Sequence, residues 1–220
     1  LLIYPHATIL TEETAILLKE YVEKSGTLIM GARTGYKDEF GRCPMRPMPG
    51  FAADICGVRV IDYTHLGPGE DKVFAMWDGE EFEAPIFNDI LEARDDAITL
   101  ATFKGSYYDG APALVENKIG KGTAYYFGAG FSTSTATVFL RKLGFEKPYG
   151  SIIELPEQAE LAVRSKDNTD YYFVLNYMPY TIELNVRIPM EDVISGTICN
   201  GKCKIDKYGV LVLKTTSDSW

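Results

Sequence analysis

Hydrophobic and polar positions along this chain follow two different rhythms, changing about two-thirds of the way through. The opening "LLIY" is a continuous apolar run closed by Pro5, the pattern of a short buried strand. Thr11 then precedes Glu12 and Glu13, a hydroxyl at a helix start followed by carboxylates where unpaired amides favour negative charge. Ala15, Leu18 and Val22, with Leu17 and Tyr21 alongside, make a helical stripe to Lys24, and Gly26 supplies the stop. "TLIMGA" follows as a second strand. Strand, helix and strand within about 30 residues predict a βαβ unit with a right-handed crossover.

Beyond a long polar loop, "PGFAADICG" predicts a short helix, with Gly57 turning the chain into the alternating strand "VRVIDY". "KVFAMW", "AITLATF", "APALVENKIG" and "GTAYYFGA" predict further strands, the last two joined around "GKG". The acidic stretch with Glu80, Glu81 and Glu83 reads as a loop. "STATVFLRKLG" predicts a closing helix ended by Gly144. This half is α/β in pattern, with a sheet mixed at one edge. Around "KPYGS" the helical spacing stops. From 151 to 220 only strands are predicted: "AELAVRS", "DYYFVLNY", "TIELNVRI", "GTICN", "KCKIDKYG" and "VLVLKT". The turn signals "KDNTD", "MPY" and "NGK" separate them, as in a small antiparallel sandwich or barrel.

Composition narrows the function. The 220 residues carry a net charge of -9, and such an acidic surface repels phosphate backbones, so no nucleic-acid partner is expected. No apolar run reaches the roughly 20 residues needed to span a bilayer, and no signal-peptide pattern opens the chain, so neither a membrane partner nor export is expected. The chain opens inside an apolar run without a Met, which reads as a piece of a longer protein. Cys43, Cys56, Cys199 and Cys203 include no Cys-x-x-Cys pair, and His6 and His65 lie far from the second cysteine pair. Free thiols in a reducing, cytoplasmic compartment are the expectation, with no metal and no cofactor.

Candidate chemistry is sparse. Asp38 with Glu39, the Glu80–Glu83 group, and Asp95 with Asp96 supply carboxylates, but none has the spacing that singles out a glycosidase pair. Cys43 and Cys56 are not at nucleophile elbows, and neither histidine has an evident triad partner. "NKIGKGTAYYFGAG" lacks the phosphate-loop spacing and reads as a hairpin turn. The remaining feature is "MGARTGYKDEFGR", residues 30–42, a charged loop following a predicted parallel strand, where open α/β sheets place ligand sites.

That loop carries a family resemblance. "LIYPHATILTEETAILLKEYVEKSGTLIMGARTGYKDEFGR", with "RTGYKDE" its most specific part, resembles the middle domain of glycoside hydrolase family 42 β-galactosidases. "PGFAADICGVRV" and "GAPALVENKIGKGTAYYFGA" continue the likeness in order, and the all-β tail resembles the family's small C-terminal domain. The resemblance implies a trimerisation domain over 1–148, entered at its third strand, and a C-terminal β domain over 151–220. It implies a flavodoxin-like, mostly parallel, helix-flanked sheet similar to class I glutamine amidotransferases, without their cysteine chemistry. Catalysis, a retaining hydrolysis of terminal β-D-galactosides, and most of the galactoside contacts would belong to a TIM barrel outside this chain. No catalytic residue is therefore assigned here. Arg33, Lys37, Asp38 and Glu39 are expected at an interface between copies, or at the rim of a neighbour's sugar site. Two rivals remain: a carbohydrate-binding module using Tyr171, Tyr172, Tyr177 or Tyr180, and a free-standing amidotransferase-like hydrolase using Cys43 or Cys56.

Overall fold

The computed structural model describes residues 1–70, 72–147 and 149–215, arranged as two compact units, Leu1–Lys142 and the segment from Leu143 onward. The first unit opens with β1 (Leu2–Tyr4), α1 (Glu12–Glu23) and β2 (Thr27–Gly31). Thr11 caps α1, its Oγ1 accepting the Thr14 amide at 3.2 Å. Ala15, Leu18 and Val22 face inward, as their spacing predicts. The strands β1 and β2 are parallel, and α2 (Ala52–Cys56) ends at Gly57 in a left-handed conformation, φ 63°. Then follow β3 (Val58–His65), β4 (Phe74–Trp77), β5 (Glu80–Glu83), β6 (Phe87–Ala93), β7 (Ile98–Lys104), β8 (Pro112–Ile119), β9 (Gly122–Phe127) and α3 (Thr133–Lys142).

The main sheet has seven strands in the order β1-β2-β9-β8-β7-β4-β5. Here the expected flavodoxin-like, amidotransferase-like sheet is corrected. Only β1 with β2 and β2 with β9 run parallel; the β9-β8, β8-β7, β7-β4 and β4-β5 pairs are all antiparallel. A parallel neighbour needs a crossover of a dozen or so residues, usually through a helix. The links β8–β9 and β4–β5 are only Gly120–Lys121 and Asp78–Gly79, too short for anything but hairpins. The architecture is mostly β, with three helices among the described residues and a separate β3-β6 ribbon.

One further expectation changes here. The acidic loop after Trp77 is strand β5, turned by Asp78 and Gly79 at φ 49° and 80°, the left-handed pair that suits a tight hairpin. Its carboxylates are used: Glu80 meets Arg141 and Lys142, Glu81 meets Lys104, and Glu83 meets Lys72. The glycine-rich "IGKG" is a hairpin turn lodged on the end of α1. A Cβ on Gly122 would sit 2.1 Å from the Val22 carbonyl oxygen and 2.3 Å from that of Gly26, so only glycine fits.

The core of this unit lies on both faces of the sheet. On one, Leu28, Met30, Val115, Ala124 and Tyr126 pack against α1, α2 and the ribbon residues Val58 and Leu91. On the other, Trp77, Phe82, Phe127, Phe131 and Phe139 form an aromatic cluster that seats α3, with ring centroids 5.2 to 6.1 Å apart. Such pairs add to ordinary burial through edge-to-face attraction.

The second unit contains β10 (Ile153–Glu154), β11 (Ala159–Lys166), β12 (Thr169–Asn176), β13 (Ile182–Asp192), β14 (Ile198–Ile205) and β15 (Val210–Thr215). They form one antiparallel sheet, ordered β10-β13-β15-β12-β11, with β14 on β13. The "NGK" signal does not separate two strands. It lies within β14, where Gly201 takes φ 78° and the register against β13 jumps between Val186 and Met190. Cys199 and Cys203 therefore share one face of one strand, and all four cysteines are free.

Candidate functional site

The charged loop leaves β2 under tight control. The Thr34 hydroxyl donates to the Gly31 carbonyl at 2.7 Å, and the Gly35 amide donates to the Ala7 carbonyl at 2.9 Å. Gly35 sits at φ 70°, and a Cβ there would lie 2.2 Å from the Pro49 carbonyl oxygen. Backbone contact on both sides leaves room for glycine alone.

A buried carboxylate organises this region. Asp89, on β6, is fully buried. Its Oδ2 accepts the Arg33 amide at 2.9 Å and the Tyr126 hydroxyl at 2.8 Å; its Oδ1 accepts the Tyr36 hydroxyl at 2.8 Å. The Asp89 amide donates to the Gly128 carbonyl at 2.6 Å. Burial pushes the Asp89 carboxyl above its ordinary range, while the three hydrogen bonds and the Arg33 charge pull it back without cancelling the rise. The Tyr36 hydroxyl is pushed up by burial first, then by the neighbouring Asp89 charge.

Around this carboxylate stands an aromatic set. Tyr63, on β3, stacks on Phe87 with centroids 5.5 Å apart and planes 14° from parallel, and Tyr36 meets both rings edge-on. Arg33 is exposed and takes a left-handed backbone, φ 66°. Its guanidinium carbon lies 4.7 Å from the Phe87 ring centre and 5.3 Å from that of Tyr36, within cation–π range.

The other expected residues do different work. The Lys37 amide donates to the Thr8 carbonyl, and its Nζ lies 3.3 Å from Cys43 Sγ. Asp38 closes the turn that follows, its Oδ1 accepting the amides of Phe40 and Arg42 at 3.0 and 2.7 Å. Glu39 is exposed at the tip of that turn, beside the exposed Phe40. Arg33 alone joins the aromatic set. Asp89, Tyr63 and Phe87 had no signal in the sequence, because their partners in the loop lie far along the chain: 56 residues separate Asp89 from Arg33.

The rival sites fare as follows. Cys56 is buried in α2, and burial pushes its thiol far above the ordinary range, against a nucleophilic role. Tyr172 is buried in the core of the second unit and Tyr171 is half-buried; Tyr177 and Tyr180 are exposed. Cavities of about 380 and 400 Å³ in that unit are lined by other residues, among them Tyr149, Leu155, Leu161 and Arg187 in one and Glu154, Asn185 and Lys202 in the other. Among the described residues no cluster of three His, Cys, Asp or Glu could hold a metal ion, and no helix is long and apolar enough to cross a membrane.

Residues 1–148 match a family model described as the beta-galactosidase trimerisation domain, and residues 159–215 match one described as the beta-galactosidase C-terminal domain. The beta-galactosidase BgaB of Geobacillus sp. (strain Y412MC61) is 30% identical over 187 residues, which are 84% of this chain and 27% of that protein. The beta-galactosidase Pbg of Clostridium perfringens is 26% identical over 212 residues, 90% of this chain and 30% of its own length. The chain thus spans less than a third of these relatives. Two solved structures share its fold. A beta-galactosidase from Bacillus circulans sp. alkalophilus has a TM-score of 0.81 at 22% identity, over 97% of this chain and 32% of that one. The catalytic mutant of a GH42 beta-galactosidase from G. stearothermophilus has a TM-score of 0.79 at 23% identity, over 97% and 31%.

Proposed function

The chain belongs to the glycoside hydrolase family 42 β-galactosidases, carrying their trimerisation and C-terminal domains, and from that membership we propose that it is the assembly part of such an enzyme. The whole protein hydrolyses terminal non-reducing β-D-galactosides with retention, through a covalent glycosyl-enzyme intermediate. The catalytic carboxylates and most of the galactoside contacts lie in a barrel outside these residues, and this chain by itself turns over no galactoside. It forms a homo-oligomer, a trimer, with no cofactor and no nucleic-acid or membrane partner. Its compartment is the cytoplasm, a reading supported by four unpaired cysteines.

The observation that carries this reading is the family match over residues 1–148. The loop of Arg33, Lys37, Asp38 and Glu39 is the part of this domain that we assign to the interface. Its anchoring at both backbone edges supports that role, since a preorganised loop loses little freedom on docking. A chromogenic β-galactoside assay tests the division of labour, run on the chain and on a longer protein that contains it. We expect turnover only from the longer protein. Reproducible turnover by the chain, free of contaminating galactosidase, contradicts the proposal.

A further inference from the structure

We propose that Arg33, with the aromatic collar of Tyr36, Tyr63 and Phe87, is the anchor that grips a carboxylate on a second copy of this chain. The inference rests on the trimerisation reading and says which residues carry the contact.

Four observations converge. First, Arg33 is clamped. Its backbone sits in the left-handed region, which costs a non-glycine residue about 1 kcal/mol or more and persists only when the surroundings impose it. They do: Asp89 holds the Arg33 amide and, through Tyr36, the far side of the turn.

Second, its donors are free. Arg59, Arg94, Arg141 and Arg187 each pair with a carboxylate of their own unit, whereas among the described residues Arg33, like Arg42, Arg46 and Arg164, forms no salt bridge, and of these four only Arg33 has its backbone amide held by a buried carboxylate. Asp89 accepts the Arg33 amide and the two tyrosine hydroxyls, while the Arg33 guanidinium acts on it by charge alone, without a hydrogen bond or salt bridge among the described residues. A guanidinium held against aromatic faces keeps its planar fork of N–H groups for a carboxylate, the shape it binds best.

Third, the setting is that of an interface anchor. Arginine and tyrosine dominate the few residues that carry most binding energy between proteins. Tyr63, more than half exposed, stacks on the Phe87 ring that Arg33 also meets and adds an exposed aromatic face to the patch.

Fourth, charge selects the partner. The chain has 31 acidic and 22 basic residues, so a second copy presents an excess of carboxylates to an unpaired cation. The family description of this unit as a trimerisation domain makes that copy the occupant. In a closed ring of three, the contact is heterologous, so the carboxylate sits on a different patch from Arg33. Asp89 is then a positioning residue, setting the guanidinium without touching the partner.

Sedimentation equilibrium over a micromolar concentration series tests this, at 0.1 M and 1 M salt, on the wild type and four variants. Arg33→Gln removes the charge, Arg33→Lys keeps it without the planar fork, Tyr63→Ala removes a wall of the collar, and Arg59→Gln is the control. Circular dichroism reports folding. We expect Arg33→Gln and Tyr63→Ala to weaken association by about tenfold or more, Arg33→Lys to fall between, and Arg59→Gln to have little effect. High salt should weaken the wild type and leave Arg33→Gln nearly unchanged. A folded Arg33→Gln or Tyr63→Ala that associates like the wild type overturns the anchor and leaves the trimer reading standing. A wild-type chain that stays monomeric throughout overturns both.

Discussion

Asp89 shows how much one residue can organise. Three donors, two from the loop and one from β9, converge on a carboxylate that water does not reach, and each would be costly to leave unpaired in that setting. Asp89→Ala leaves the buried Tyr126 hydroxyl without its acceptor. We expect a loss of about 1–3 kcal/mol, read from the urea midpoint at pH 7. Proton linkage gives a second check. Because the folded-state pKa of Asp89 is raised, its contribution to stability is complete below the unfolded pKa, near 4, and is lost as pH rises through the folded value. Asp89→Asn has no such proton, so it should gain on the wild type as pH climbs from about 4 to 7. A difference that stays constant across that window argues against a raised pKa.

The thiols give a prediction at the same scale. Cys43 is exposed beside the Lys37 ammonium. Burial raises the Cys56 thiol, and burial with the neighbouring Cys203 thiol pushes Cys199 up to about 12. A chromogenic disulfide reagent should therefore label Cys43 first and lose its rapid phase in Cys43→Ser, with Cys56 and Cys199 reacting only on unfolding. Rapid labelling of Cys56 in the folded protein would contradict the packing of α2 and revive the hydrolase alternative.

At the scale of elements, chemistry within a few residues was readable and chemistry across the chain was not. The Thr11 cap, the inward stripe of α1 and the Gly57 stop are local, and the sequence predicts each of them. Strand direction was readable in part: the early strand–helix–strand pattern is the parallel β1–β2 pair, and the two-residue link at Gly120–Lys121 makes β8 and β9 a hairpin, against the mostly parallel sheet that the resemblance implied. Strand β5 was hidden by its charge, since Glu80, Glu81 and Glu83 look like a solvated loop until their basic partners on β7, on α3 and before β4 are known. The buried ribbon strand β6, which holds Asp89, was likewise passed over. The Arg33 loop stood out for its charge, yet Tyr63, Phe87 and Asp89 lie 30 to 56 positions beyond Arg33, which no local pattern encodes. The tight seat of the β8–β9 turn gives an element-scale test. Gly122→Ala forces a methyl group against two carbonyl oxygens at the end of α1 and should destabilise the first unit by about 1–3 kcal/mol in urea unfolding. An unchanged midpoint would mean that the turn does not pack as described.

At the scale of the whole molecule, the chain is an arrangement for presenting surfaces. The first unit fixes a charged, aromatic loop to a mixed sheet with core packing on both faces. The second is an antiparallel sheet whose buried polar groups serve its own turns. Asn176 donates to the carbonyls of Tyr180 and Asp206, and Asp192 accepts from the amides of Ile194, Ser195 and Val212. We propose assembly as the use of these surfaces, from the family match over residues 1–148.

The most direct measurement is the mass of the wild-type chain by sedimentation equilibrium at micromolar concentration and low salt. A species approaching three times the chain mass of 24.5 kDa is the result this account predicts. A single 24.5 kDa species at every concentration would contradict it.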